Sequence, residues 1–146
     1  MFSKFITTLI IFLSTLSAIC PAWARITGIT APANVHPGTP FKVTVSTENF
    51  IDTYVNYYIV FGIAPQGDTS AALHTPIGTG YDLVAHKESE TGHGTFQVSL
   101  TIPSSYNPST DGRAANLRAI VFSAVGASWS PITPLFSTNI TVTRHK

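Results

Sequence analysis

Cysteine is almost missing: the 146-residue chain has one, Cys20. It falls in an N-terminal stretch that reads as a removable secretory leader, so the mature protein is expected to carry no thiol. That removes disulfides, a cysteine nucleophile and thiolate metal ligation from consideration. A small exported domain must then be held by packing and backbone pairing alone. An excess of one charge is missing too. Eight Lys and Arg face seven Asp and Glu; without Lys4 of the leader they stand at seven each, with five histidines in reserve. A neutral chain with no basic run argues against nucleic acid as a partner, and with no acidic run either, long-range steering is weak. Helical spacing is hard to find. After the leader no run is long and apolar enough to span a membrane. The end, Arg144-His145-Lys146, has no hydrophobic tail of a lipid-anchor signal, so no membrane anchor is expected.

What is present begins with the leader. Lys4 precedes an uncharged stretch from Phe5 to Ile19, rich in Ile, Leu and Phe, and the small-residue signature Ala22-Trp23-Ala24 closes it. The expected division is a signal peptide over residues 1–24 and one secreted domain over residues 25–146, with Arg25 as the first mature residue. That domain is of ordinary single-domain length.

Past the leader the pattern is alternation with a period of two, broken by clusters of Pro, Gly, Asn and Asp. Strands are expected over Arg25–Thr30 and from Phe41, where Phe41, Val43 and Val45 alternate with Lys42, Thr44 and Ser46. A third covers Thr53–Ile63, with Val55, Tyr57, Ile59, Phe61 and Ile63 on the inner face and Tyr54, Asn56, Tyr58 and Val60 outward. Pro65–Gly80 reads as a loop with one short edge strand around Leu73, followed by a strand over Tyr81–His86. Thr95–Ile102 places Phe96, Val98, Leu100 and Ile102 inward. Ala114–Ala127 is apolar on both faces in its middle, as a strand buried between layers would be. Leu135–Thr143 is the last.

About seven strands without crossover helices point to an all-β fold, a single antiparallel sandwich of immunoglobulin or fibronectin type. A closed β-barrel is the alternative that the same strands permit.

No catalytic set can be assembled. The histidines are scattered, and no ligand spacing of a zinc site occurs. His86 and His93 bracket the polar run Lys87–Gly92, which reads either as a solvated loop or as a place where two imidazoles and two carboxylates meet. There is no Gly-x-Ser-x-Gly elbow. The chain is therefore read as a non-enzyme with no metal and no cofactor.

Contact chemistry fits better, because exposed aromatic residues are the usual anchors of binding surfaces. The candidates are Tyr54 and Tyr58 on the outward face, Tyr106 in a polar loop, and Trp129 between two serines. Each has a structural alternative: cross-strand packing for Tyr54 and Tyr58, a tyrosine corner for Tyr106, a cap on the core for Trp129. Asn139-Ile140-Thr141 is a glycosylation sequon, and alternation turns Asn139 outward.

Four segments carry a resemblance: Arg25-Ile26-Thr27-Gly28-Ile29, Pro37 to Ile51 with its Thr47-Glu48-Asn49-Phe50-Ile51 continuation, Gly126-Ala127-Ser128, and Asn139-Ile140-Thr141-Val142-Thr143. Together they resemble the fungal necrosis-inducing secreted protein family, over roughly half of the expected mature chain. The resemblance implies a secreted effector and virulence factor acting on plants in the apoplast or the host cytoplasm. It also implies induction of cell death and suppression of pattern-triggered immunity through binding of plant immune receptor kinases or associated cytoplasmic kinases. It supplies no catalytic residues. A secreted carbohydrate-binding or adhesive sandwich module is the alternative from the residues alone.

Overall fold

A computed structural model describes residues 23–89, 92–106 and 112–143. The regular elements are β1 (Trp23–Thr30), β2 (Asn34–Val35), β3 (Pro40–Phe50), β4 (Tyr54–Pro65), β5 (Thr75–Asp82), β6 (Gly94–Thr101), β7 (Arg113–Val125), β8 (Ser130–Ile132) and β9 (Leu135–Val142). The fold is all-β. One sheet has the order β1-β3-β6 and the other β2-β9-β7-β4-β5, with β8 added to β7. The antiparallel expectation needs one correction: β2 pairs with β9 in parallel, Asn34 beside Thr141 and Val35 beside Val142. Residues 31–33 carry the chain from one sheet to the other, so its first stretch serves both.

One cluster of buried side chains joins the inner faces, including Ile26, Val43, Val45 and Val98 from the smaller sheet and Ile59, Phe61, Ile77, Leu117, Val121 and Ile140 from the larger. The alternation in β6 is realised as read, with Phe96, Val98 and Leu100 buried and Thr95, Gln97, Ser99 and Thr101 exposed. In β4 it is not. The ladder to β7 shifts register between Asn56 and Tyr58, and such a bulge places one extra residue on one strand. Tyr54 and Asn56 before it face inward together with Ile59, Phe61 and Ile63 after it, while Tyr57 is turned out to 43% exposure. The inward readings of Val55 and Tyr57 and the outward readings of Tyr54 and Asn56 are thus corrected by one bulge.

The segment read as a loop with an edge strand near Leu73 contains β5 further on, and the strand expected over Tyr81–His86 ends at Asp82. Two glycines explain why β5 was hidden. Gly78 and Gly80 adopt φ of 68° and 89°, a region open to glycine. A side chain at Gly80 would meet the Tyr58 ring, which lies across it with its hydroxyl donating to the Thr79 carbonyl at 2.8 Å.

The expected leader boundary falls inside β1. Residues 1–22 lie outside the described residues, but Trp23 and Ala24 open the strand opposite Phe50 and Asn49. Ala24 is fully buried, and its carbonyl accepts a 2.7 Å hydrogen bond from Asn56 Nδ2. Asn56 is itself buried, with Oδ1 accepting from Ser123 Oγ at 2.9 Å. A chain that starts at Arg25 lacks that acceptor. It is expected to be less stable than one starting at Trp23 by about 1–3 kcal/mol, the cost of leaving a buried donor unpaired. Urea melts of the two forms measure this, and identical midpoints would mean that water replaces the Ala24 carbonyl.

Candidate functional site

The start of β1, the end of β3, the start of β4 and the end of β7 meet at one end of the molecule. The β3–β4 turn projects Ile51, which is fully exposed, and the Gly126 N–H donates to the Thr53 carbonyl at 2.8 Å to tie the β7–β8 turn to it. Trp129 sits on that second turn, 50% exposed and with φ of 53°. A bulky residue is rarely found there; its N–H donates to the Gly126 carbonyl at 3.0 Å and holds the turn.

Two grooves flank this end. One, of about 440 Å³, is walled by Arg25, Phe50, Tyr54, Val125, Ile132 and Phe136 among others. Phe50 and Tyr54 meet edge to face with centroids 5.4 Å apart, and the Arg25 guanidinium lies 5.6 Å from the Phe50 ring centre, a cation–π distance. Burial pushes the Tyr54 phenol above its ordinary pKa. The second groove, of about 450 Å³, is lined by Trp23, Val55, Tyr57, Val84, Lys87, Ser89 and Trp129. Among the described residues, the buried Ser89 hydroxyl has no hydrogen-bond partner.

Of the sequence candidates, Trp129 is on this surface. Tyr54 is corrected from surface to interior, at 3% exposure, though its ring still walls the first groove. Tyr58 is half-buried across Gly80. Tyr106 lies at the opposite end, beyond β6, packed against the core with its N–H donating to the Pro103 carbonyl at 2.9 Å. The four tyrosine and tryptophan candidates therefore form no single patch. Tyr57 and Ile51 complete the surface and were missed: the bulge that exposes Tyr57 leaves no mark in the sequence. Asn139 is exposed on β9 opposite Asn116.

The His86–His93 reading is resolved on the His86 side. His86 stacks on Tyr81 at 4.2 Å and its Nδ1 donates to the Asp82 carbonyl at 2.7 Å. Residues 90–91 lie outside the described residues. No group of three or more His, Cys, Asp or Glu among the described residues is placed to hold a metal.

A polar cluster that the sequence reading did not single out lies over β4 and β7. Asp68 Oδ2 accepts from Ser70 Oγ at 2.7 Å, from Arg118 Nη1 at 2.7 Å and from His74 Nε2 at 2.9 Å. Ser, His and Asp here do not form a nucleophilic triad. In a triad the imidazole uses one nitrogen for the acid and the other for the nucleophile, whereas here all three groups converge on one carboxylate oxygen and only His74 Nε2 approaches Ser70 Oγ, at 3.4 Å. Arg118, only 3% exposed, also donates to the carbonyls of Asp68, Ser70 and Ala72. It clamps the 66–74 segment onto the sheet at Gly62, where a side chain would collide with the Leu73 backbone. The available signal was a cation in the middle of β7, set between Leu117 and Ala119.

The Nis1 family model matches residues 22–141. Necrosis-inducing secreted protein 1 of Colletotrichum orbiculare is 32% identical over 136 residues, covering 90% of this chain and 80% of that protein. Its namesake from Colletotrichum higginsianum is 32% identical over 120 residues, covering 82% and 78%. Among solved structures, a superoxide reductase (neelaredoxin) from Ignicoccus hospitalis aligns at TM-score 0.39 and 14% identity, over 84% of this chain and 80% of that one. A cohesin module from a Clostridium perfringens family 33 glycoside hydrolase aligns at TM-score 0.42 and 14% identity, over 85% and 99%. Arg25–Ile29, Gly126–Ser128 and the Thr47–Ile51 end of the Pro37–Ile51 segment, whose Pro37–Pro40 start lies at the other end, come together at the grooved end, and the chain belongs to the Nis1 family.

Proposed function

We propose that this chain is a secreted effector that provokes plant cell death and suppresses pattern-triggered immunity, acting by occupying the surface of an immune receptor kinase or an associated kinase. The observation that carries the reading is the convergence of the family-like segments on an end bearing exposed Ile51, Tyr57 and Trp129. Aromatic side chains of this kind are the usual anchors of protein interfaces, and Lys87 on the wall of the second groove adds a charge for orientation. We read the two-sheet arrangement as an immunoglobulin-like sandwich whose end loops present this surface. Glycan attachment at Asn139 belongs to the same secretory reading, and its exposure on β9 supports it.

The test is titration of a plant immune-receptor kinase domain with the secreted protein, followed by an autophosphorylation assay and intact-mass analysis. Inhibition is expected to saturate near one equivalent when both proteins exceed the dissociation constant, to reverse on dilution, and to leave the kinase mass unchanged. Trp129→Asn and Ile51→Ser are expected to weaken inhibition at least tenfold, as loss of a central anchor does, with an unchanged melting temperature. Asparagine suits position 129 because it tolerates positive φ, so the variant removes the ring and keeps the turn. Permanent modification of excess kinase by catalytic amounts of effector would overturn the reading, as would polysaccharide affinity without kinase affinity.

A further inference from the structure

We propose that the free edge of β6 is an interaction surface whose occupant is β6 of a second copy of this chain. The inference begins from how exposed strand edges are protected. An unpaired edge is a template for another strand, and proteins blunt such edges with charge, proline, bulges or brevity. Among the described residues the other open edges carry these devices. β1 has a register shift between Ile26 and Gly28 and the charge of Arg25. β2 has two residues, and β8 has three, including Pro131. β5 holds Pro76, Asp82 and two glycines of positive φ. β9 is open only over 135–140, preceded by Pro134 and packed beside β1.

β6 packs beside β5, with the Tyr81 and Phe96 ring centres 6.3 Å apart, but its sequence carries none of these devices. Its eight residues, Gly-Thr-Phe-Gln-Val-Ser-Leu-Thr, pair with β3 in unbroken register from Gly94 beside Thr47 to Thr101 beside Pro40. They contain no charge, no proline and no residue with positive φ. Among the described residues, the opposite side of this strand pairs with nothing.

The same sequence identifies the occupant. In an antiparallel pairing of two copies about a two-fold axis at Val98, Thr95 faces Thr101, Phe96 faces Leu100, Gln97 faces Ser99 and Val98 faces itself. Each match is favourable across a sheet: hydroxyl with hydroxyl, aromatic with aliphatic, amide with hydroxyl. The register keeps Phe96, Val98 and Leu100 of both copies on the core side, as the period of two demands. A neutral segment meets its own copy without like-charge repulsion, and the closed two-fold contact stops at a dimer. The two three-stranded sheets then form one six-stranded sheet. This surface is separate from Ile51 and Trp129, so the dimer and the kinase reading stand or fall independently.

Sedimentation equilibrium of the secreted protein from micromolar to millimolar concentration tests this. The wild type is expected to reach a dimer within that range. The double variant Gln97→Lys/Ser99→Lys places ammonium groups opposite one another and is expected to weaken association at least about tenfold. Ser99 lies opposite Lys42 on β3, so the lysine variant is expected to melt somewhat below the wild type at low concentration while staying folded. Gln97→Glu/Ser99→Glu is expected to be monomeric alone and to form a one-to-one heterodimer with the lysine variant. A wild type that stays monomeric throughout, a lysine variant that still dimerises, or opposite-charge variants that fail to combine would each overturn the proposal.

Discussion

Phe61→Ala is expected to destabilise the protein by about 3–5 kcal/mol and Val98→Ala by about 2 kcal/mol, whereas Gln97→Ala changes little. Phe61 and Val98 come from different sheets and are nearly inaccessible, while Gln97, one residue from Val98, faces solvent. Removing the ring or the branched methyls leaves a void that close-packed neighbours fill only in part. The described residues contain no cysteine, so within them no cross-link offsets the loss. Denaturant melts of the three variants measure the differences. Equal losses at Val98 and Gln97 would mean that the inner face of β6 is assigned to the wrong side.

Arg118→Met is expected to cost about 1.5–3 kcal/mol, the range for hydrogen bonds to a charged group, and to release the 66–74 segment to proteolysis. Methionine keeps much of the aliphatic stem inside the sheet but removes the donors that hold three carbonyls and the Asp68 carboxylate. A matched pH effect follows from Asp68. Its carboxyl is held well below the usual carboxylate range, first by the Ser70 hydroxyl and then by the Ser70 N–H, His74 and Arg118, against an opposing desolvation effect. A carboxyl with a depressed folded-state pKa contributes stability that is fully present above its unfolded value, near 3.9, and is lost as pH falls. Wild-type stability should therefore decline below about pH 4, and Asp68→Asn should decline less steeply over the same window. Parallel pH profiles for the two proteins, or protease resistance at 66–74 in Arg118→Met, would rule out the clamp.

The sequence made the inner faces of β3 and β6 legible because their apolar residues alternate without interruption, and the leading turn residues bounded them. It misled at β4, where Tyr-Val-Asn-Tyr-Tyr admits either parity and only the ladder to β7 shows that the register shifts at Tyr57. β5 was displaced for a related reason. Gly78 and Gly80 look like loop residues, yet their positive φ lets the strand kink around Tyr58. For the site, Trp129 was identifiable as an unpaired aromatic among serines. Its companions were not, since Ile51, Tyr57 and Trp129 are brought together only by turns at one end of the sheets. Arg118 could have been flagged as a cation needing partners, but the carbonyls that satisfy it are backbone atoms without a residue signature.

The parallel contact between β2 and β9 fixes the order in which the molecule can be completed. Asn34 and Val35 leave a biosynthetic or secretory pore before almost all of the domain, and the strand they need, at Thr141 and Val142, leaves last. A chain emerging vectorially can assemble β3 with β6, or β4 with β5, while synthesis continues, but the early residues wait for nearly the whole polypeptide. Closure of the structure is consequently a late, long-range event, and contacts of such sequence separation slow folding. During that interval the unpaired edge of β6 is already formed and accessible, so control of the emerging chain's concentration and the presence of chaperones matter most before β9 arrives.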